Sequence, residues 1–449
     1  MAPHANEKTY RPSSEKAPLL PFKKQDDEQY DGYNDATVSS AVFSLSTSIV
    51  GAGIMGLPST MDTVGLIPGL ILILLSGLLT NASIDFILKY SSVSRAVSYG
   101  GVMADSFGRI GRILLQLCII INNFGLLVVY LIIIADVLSG STSSSVHHSG
   151  VFEEWAGGQK WWNSRVVVML LTTVFILAPL ACFRHVDSLK LSSALSVALA
   201  VLFVVVTAAV AMYKLVIGTI STPKMFPDFS FDLSTIVNYF SVVPILVTAY
   251  ICHHSVHPIL NEMQDDTQSK SVVRISLVLC TVIYLATSGF GYLLFGENTL
   301  SDVLSNFDSD LGVPHSAILA DIVRVGYAIH LMLVFPLLHF SLRLNVDGLI
   351  FPNAGPLSLD TRRFSILTAI LVTSSFVAAS FIPDIWDAFQ ITGSTSGVCL
   401  GFVFPGCLVL RDAAAIATKR EKALALIMVV LAAGSSVIAL SGDIYDILS

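Results

Sequence analysis

The run Ser44-Leu45-Ser46-Thr47-Ser48-Ile49-Val50-Gly51-Ala52-Gly53-Ile54-Met55-Gly56-Leu57-Pro58 decides how this chain is read. It lies in an apolar stretch long enough to cross a bilayer, yet it packs three glycines and a proline into eight residues. In a helix interior glycine costs about 1 kcal/mol and proline about 3 kcal/mol relative to alanine. Unwound backbone leaves N–H and C=O groups that hydrocarbon cannot satisfy, so it survives only where it lines a protein cavity. Freed N–H groups at the start of a half-helix suit a carboxylate, while freed carbonyls and hydroxyls suit a cation. The same glycines also fit a second reading, in which they let a neighbouring helix approach closely.

A second interruption favours the first reading. Val243-Pro244-Ile245-Leu246-Val247-Thr248-Ala249-Tyr250-Ile251-Cys252-His253-His254-Ser255-Val256-His257-Pro258 has a proline near each end and polar residues between. Counted along the chain, these runs fall in spans one and six, which correspond if two five-helix halves repeat in inverted orientation. Paired interruptions at corresponding positions point to a transporter site near the bilayer midplane.

The surroundings agree with a membrane protein. Of 449 residues, 54% are hydrophobic and 13% charged, with a mean hydropathy of +0.75; soluble domains carry about 25% charged residues. This composition excludes a cytosolic enzyme or a disordered regulator, and a net charge of -7 argues against a nucleic-acid partner. Apolar runs predict eleven transmembrane helices near 38–60, 66–90, 113–139, 165–182, 189–217, 235–257, 273–295, 317–344, 364–382, 385–410 and 423–441. With the N-terminus cytosolic and the C-terminus lumenal or extracellular, 20 of the 25 Lys and Arg residues fall on the cytosolic side. Only Lys160, Arg165, Lys214 and Lys224 fall opposite, and Arg324 lies within a helix. The predicted organisation is a disordered cytosolic tail at 1–37, five-helix repeats at 38–217 and 218–410, and an eleventh helix with a short C-terminus at 411–449. The six cysteines sit in or beside apolar segments, so no disulfide framework is expected.

The Gly-rich run beginning at Val42-Phe43-Ser44, together with Ala249-Tyr250-Ile251-Cys252-His253 and Leu333-Val334-Phe335-Pro336, resembles the amino acid/auxin permease family. The resemblance runs from about Thr37 to the last helix. It points to the plant vacuolar amino-acid transporter branch, which is related to the animal sodium-coupled neutral amino-acid transporters. It implies an all-α membrane protein with a LeuT-like 5+5 inverted repeat, helices 1 and 6 broken, and transport by alternating access. Gly51, Ala52 and Gly53 would then offer backbone N–H groups to a substrate carboxylate, with Ser48, Thr248, Ala249 and Tyr250 facing the amine and side chain. Neither break holds an acidic residue, which favours small neutral amino acids such as Gln, Ala or Asn over basic ones.

For ion coupling, Thr47 stands where the animal relatives carry an Asn implicated in sodium binding; its hydroxyl is still an oxygen ligand. Alignment on Phe335-Pro336 brings His330 near the same cation position. There an imidazole could carry a proton instead, because its charge changes near physiological pH. The plainer reading is a core histidine bonded to a carbonyl. A proton or sodium gradient is therefore the expected drive, with no cofactor.

Other polar groups receive structural readings. Asp85 and Lys89, four apart, and Asp321 and Arg324, three apart, have helix-pair spacing. Asn122, Asn123 and Ser394-Thr395-Ser396 are candidates for bonds between helices. The loops 140–164 and 296–316 read as solvated, with room for some helix. His253, His254 and His257 lack the His-Glu-x-x-His order of a zinc protease, and no catalytic or metal site is expected. In the tail, Glu15 followed by Leu19-Leu20 fits an acidic dileucine signal read by a clathrin-type sorting adaptor. Together with the resemblance it favours the vacuolar membrane and export of neutral amino acids to the cytosol. The alternatives are a cation-coupled importer at the plasma membrane and an amino-acid sensor signalling through residues 1–37.

Overall fold

The structure, a computed structural model, describes residues 36–143, 146–220, 222–227, 233–263, 265–308, 310–382 and 392–448. Glu15, Leu19 and Leu20 of the predicted sorting signal, and the turn expected at 383–384, lie outside the described residues.

The chain is helical nearly throughout. Thr37 caps α1 (Val38–Ile49) by accepting from the Ser40 amide, satisfying one of the donors a helix start leaves open. After Val50 and Gly51, both extended, a 3-10 turn at Ala52–Gly56 leads into α2 (Leu57–Val64). Pro58 sits in the first turn of α2, where its missing N–H costs nothing. α1 and the segment Ala52–Val64 meet at 50°. Then follow α3 (Leu66–Ser94) and α4 (Tyr99–Ser139), the latter kinked at Gly108, whose φ of 69° favours glycine. Next come α5 (Val151–Ala156), α6 (Arg165–Ala181), α7 (Lys190–Val216), α8 (Leu233–Tyr250) and α9 (His253–Leu260). The remaining helices are α10 (Ser269–Phe295), α11 (Ser316–Ile350), α12 (Thr361–Phe381), α13 (Gly393–Arg411) and α14 (Lys419–Leu448).

Nine helices among the described residues are long and apolar enough to cross a membrane, taking α8 and α9 as one; the bent pair α1–α2 makes up to ten, and α6 is shorter. Helices α1, α7, α10 and α11 pack together, and α11 also runs along α4. α14 lies against α8 and α13. Many large apolar side chains on the outer faces are exposed, among them Leu78, Val205, Val278 and Val437, as helices facing lipid require.

One local expectation is corrected and two are met. The segment after α4 includes helix, as the reading of that loop allowed: Ser141–Ser143 pairs antiparallel with Val146–His148, and α5 follows. The pair Asp321–Arg324 forms at 3.0 Å, and Arg324 also grips both Glu154 oxygens at 2.9 and 2.7 Å and the Ser149 carbonyl at 3.0 Å. This bidentate contact ties α5 to α11. Asp85 and Lys89 do not pair: Asp85 accepts from Asn81, while Lys89 reaches both oxygens of Glu421 at 2.7 and 2.9 Å. The start of α14 lies beside α3 and brings a second carboxylate that spacing along one helix cannot reveal.

Candidate functional site

Breaking a helix strands its carbonyls, and where they go is a question with a definite answer. The Tyr284 hydroxyl, on α10, is 2.7 Å from the Ile49 carbonyl and 2.6 Å from the Ala249 carbonyl. One hydroxyl therefore stands between the ends of both interrupted helices and shares its single hydrogen between two acceptors. The Tyr327 hydroxyl, on α11, donates to the Gly51 carbonyl at 2.7 Å. One turn further along the same face, His330 Nε2 lies 3.0 Å from the Val50 carbonyl. A carbonyl only accepts, so Nε2 carries the hydrogen in this contact. Nδ1 faces both the Ser196 hydroxyl at 2.9 Å and the Ser196 carbonyl at 2.8 Å, accepting from the first in a neutral ring and donating to the second in a charged one. Carbonyls 49, 50 and 51 are thus capped in turn by Tyr284, His330 and Tyr327, all buried.

The donor side of the break faces α4. The Ala52 amide is directed at the Tyr130 hydroxyl, and a Cβ on Gly51 would land on that hydroxyl. A Cβ on Gly53 would come within 2.7 Å of the Ala249 Cα, so the two interruptions touch backbone to backbone here. Gly56 has room for a Cβ, with its nearest neighbour at 3.6 Å. The close-approach and open-backbone readings of the glycines both apply, at different positions.

The other candidate residues distribute unevenly. The hydroxyl of Ser48 is buried and has no partner among the described residues, as has that of Ser46. Thr47 donates to the Ser193 carbonyl on α7 at 2.9 Å. Thr248 bonds back to the Pro244 carbonyl one turn earlier in the same helix, and abuts Gly393 at the start of α13. Ser394-Thr395-Ser396 lie in that same wide π turn. The Tyr250 hydroxyl points to α3 and α10, 3.2 Å from the Ile73 carbonyl and 3.0 Å from the Thr281 hydroxyl. Ala249 and its carbonyl are therefore at the contact, whereas Thr248 turns back onto its own helix and Tyr250 is anchored to flanking helices. Asn122 and Asn123 bond to each other at 3.1 Å.

Sequence reasoning missed Tyr130, Tyr284 and Tyr327. A signal existed, because a phenol deep in an apolar helix needs a partner for its hydroxyl, and Tyr327 with His330 has one-face spacing.

Beyond the membrane-spanning part, Glu262 closes one end of the assembly. It lies just past α9, 3% exposed, and its two oxygens accept from the Val186 and Asp187 amides at 3.0 and 2.7 Å. Its own carbonyl accepts from the Ala36 amide at 3.1 Å, so one residue joins α9, the approach to α7 and the entry to α1. Burial pushes its carboxyl up to about 7 and neighbouring Asp187 adds to this, while the two amides oppose it. Asp187 is itself held by Ser40 at 3.0 Å and by Lys190 at 3.2 Å. The folded state here binds a proton more readily than the unfolded chain. The stabilisation is full below the usual value of 4.5 and is lost as pH rises through about 7. Glu262→Gln is expected to remove this component, worth at most about 3 kcal/mol. Thermal unfolding of both proteins across that window checks it: the wild-type midpoint should fall more steeply with pH.

Residues 34–444 match the family model described as transmembrane amino acid transporter protein. The chain belongs to that family. The amino acid transporter AVT6A of Arabidopsis thaliana is 52% identical over 429 residues, covering 96% of this chain and 93% of the relative. AVT6B of the same plant is 51% identical over 431 residues, covering 96% and 94%. Both belong to the vacuolar amino-acid transporter branch. Among solved structures, MhsT in complex with L-phenylalanine aligns at TM-score 0.56 and 14% identity, covering 91% of this chain and 98% of that one. A manganese transporter of Eremococcus coleocola aligns at TM-score 0.57 and 13% identity, covering 96% and 90%. At such low identity these show the fold alone, which is LeuT-like. This family member is an amino acid transporter and not an enzyme.

Proposed function

We propose that the protein is a secondary transporter that carries small neutral amino acids across the vacuolar membrane to the cytosol by alternating access. The observation that carries this reading is the single Tyr284 hydroxyl joining the Ile49 and Ala249 carbonyls. It marks the point where two interrupted helices expose main-chain polar groups inside the bundle. In this reading α1–α2 and α8–α9 are the broken first and sixth of eleven spans, α6 is the fourth, and residues 38–217 and 218–410 are the inverted repeats. The N-terminus is cytosolic, and the basic residues at the ends of α3, α10 and α14 support that orientation.

A substrate carboxylate takes the place of the Tyr130 hydroxyl at the Ala52 amide, which leaves both groups free to donate to it. The unpartnered Ser48 hydroxyl serves the ammonium group. Residues 47–57 and 246–255 contain no Asp, Glu, Lys or Arg, so a charged substrate side chain would be buried without a counter-ion. Admission of the substrate requires Gly53 and Ala249 to separate, because they touch in the present conformation.

Proton coupling fits His330. In the neutral ring Nδ1 takes the Ser196 hydroxyl; a proton gained there makes Nδ1 a donor to the Ser196 carbonyl at 2.8 Å, while Nε2 keeps the Val50 carbonyl. Protonation and the shape of the first break are thereby linked. The test is transport of a panel of labelled amino acids into liposomes holding the purified protein, under an imposed proton or sodium gradient. Neutral substrates driven by protons are expected. His330→Gln should flatten the pH dependence of flux, and an unchanged pH profile would overturn the coupling role.

A further inference from the structure

The strand Val146–His148 and α5 take part in two charged contacts with different elements. Glu154 and the Ser149 carbonyl fix this unit to Arg324 of α11. His148 Nδ1 meets an Asp308 carboxylate oxygen, which joins the strand to the 3-10 segment Val303–Asp308. Phe307, next to Asp308, is fully buried, with its ring 6.1 Å from that of Phe203 and 5.3 Å from that of Phe295. Phe203 in turn lies 5.5 Å from Tyr327, whose hydroxyl holds the Gly51 carbonyl. The segment also touches the 3-10 turn Ala52–Gly56. It therefore covers the first break, and the His148–Asp308 pair fastens its last residue.

Asp136, His148, Asp302, Asp308 and Arg324 line one small hollow. Most charges around it are matched within the fold. Asp136 pairs with Arg165 at 2.6 Å, Arg324 with Glu154 and Asp321 at 2.7 and 3.0 Å, and His147 with Glu153 at 2.9 Å. His148 and Asp308 are each about one-fifth exposed, so protons from solvent reach them. A proton on the His148 ring turns a neutral hydrogen bond into a charge-assisted one, and an imidazole changes charge near physiological pH. Asp302, just before the segment, acts in the same sense. Burial pushes its carboxyl up to about 6 and Asp136 adds to this, while the Leu304 amide at 3.0 Å opposes it. The docked segment therefore holds a proton there more readily than a released one. That contribution is full below the usual value of 3.8 and is lost as pH rises through about 6.

We infer that the His148–Asp308 pair, together with Asp302, is a pH-operated latch that holds the segment Val303–Asp308 over the first break in acid and releases it as pH rises. The two groups stand at opposite ends of the segment, and each fastens it when protonated. In acid the charged ring grips the Asp308 carboxylate, and a neutral Asp302 no longer repels Asp136. In alkali the ring is neutral and Asp302 is charged, so the contact at one end weakens while repulsion grows at the other. Only the consequence for flux rests on the transport reading: an acid compartment facing this segment favours the state closed to that compartment. The movement of the segment does not depend on that reading.

The full chain in phosphatidylcholine nanodiscs is followed by hydrogen exchange and mass spectrometry at about pH 5 and about pH 8, with rates corrected for the intrinsic effect of pH. Peptides covering residues 299–308 should be about fivefold or more better protected in acid, the difference between a charged and a neutral hydrogen bond. His148→Gln keeps a donor but gains no charge, and Asp308→Asn removes the carboxylate. Each should lose most of that difference. His148→Gln combined with Asp302→Asn should lose all of it. Peptides from α14 should exchange as in the wild type, which shows that the bundle is folded. Three results would each overturn the latch: equal protection of 299–308 at both pH values, an undiminished difference in the single variants, or a difference that survives in the double variant. Absence of amino-acid flux in liposomes would sink the transport reading and leave the exchange measurement standing.

Discussion

Gly53→Val is expected to abolish amino-acid flux in reconstituted liposomes while leaving the helical content unchanged. A Cβ at position 53 would stand 2.7 Å from the Ala249 Cα and 3.2 Å from its Cβ and amide nitrogen. Two of these are backbone atoms and the third is an alanine Cβ, so no side-chain rotation relieves the clash. Inserting carbon atoms into a filled contact costs about 1–3 kcal/mol, and about 3 kcal/mol corresponds to roughly a hundredfold loss of the packed state. Here the contact joins the two interrupted segments themselves, so the closed arrangement is the one removed. Gly51→Ala should behave similarly, because its Cβ would fall on the Tyr130 hydroxyl. Gly56→Ala supplies the internal contrast: its nearest neighbour would be at 3.6 Å, ordinary van der Waals contact, and flux should stay close to wild type. Equal tolerance at 53 and 56 would mean that the first and sixth spans do not need to meet.

Tyr284→Phe is the second large effect. The substitution removes one oxygen and keeps the ring, which packs edge-on against Tyr250 with centroids 5.0 Å apart. It leaves the Ile49 and Ala249 carbonyls, held at 2.7 and 2.6 Å in the wild type, without that donor inside the bundle. An unsatisfied buried acceptor costs about 1–3 kcal/mol, so flux should fall by about tenfold to a hundredfold. Tyr250→Phe is the matched control, since that hydroxyl anchors α3 and α10 rather than the breaks. It should lower the unfolding temperature and spare most of the flux. If both variants transported equally well, the bridging role of Tyr284 would be lost.

The membrane class, the family and the position of the first break were legible along the chain. Hydrophobic content and run length are summed properties, and three glycines beside a proline disfavour helix whatever surrounds them. The Asp321–Arg324 contact was legible too, because residues three apart share a helix face. The roles of individual hydroxyls were not. Thr248 and Tyr250 sit within the interrupted run, but periodicity gives only a face. The structure turns Thr248 back to Pro244 and sends Tyr250 to α3.

The residues that cap the first break come from α10 and α11, more than 230 positions later in the chain. Local pattern governs whether backbone can stay helical, since propensity acts over a few residues. Which donors reach the stranded carbonyls depends on how distant helices pack, and that packing brings Tyr284, Tyr327 and His330 to three consecutive oxygens. The sequence by itself determined that a continuous helix is disfavoured across residues 51–58. Only the tertiary structure decided what holds the break open, because hydrocarbon offers no partner and the protein must supply one from elsewhere in the fold.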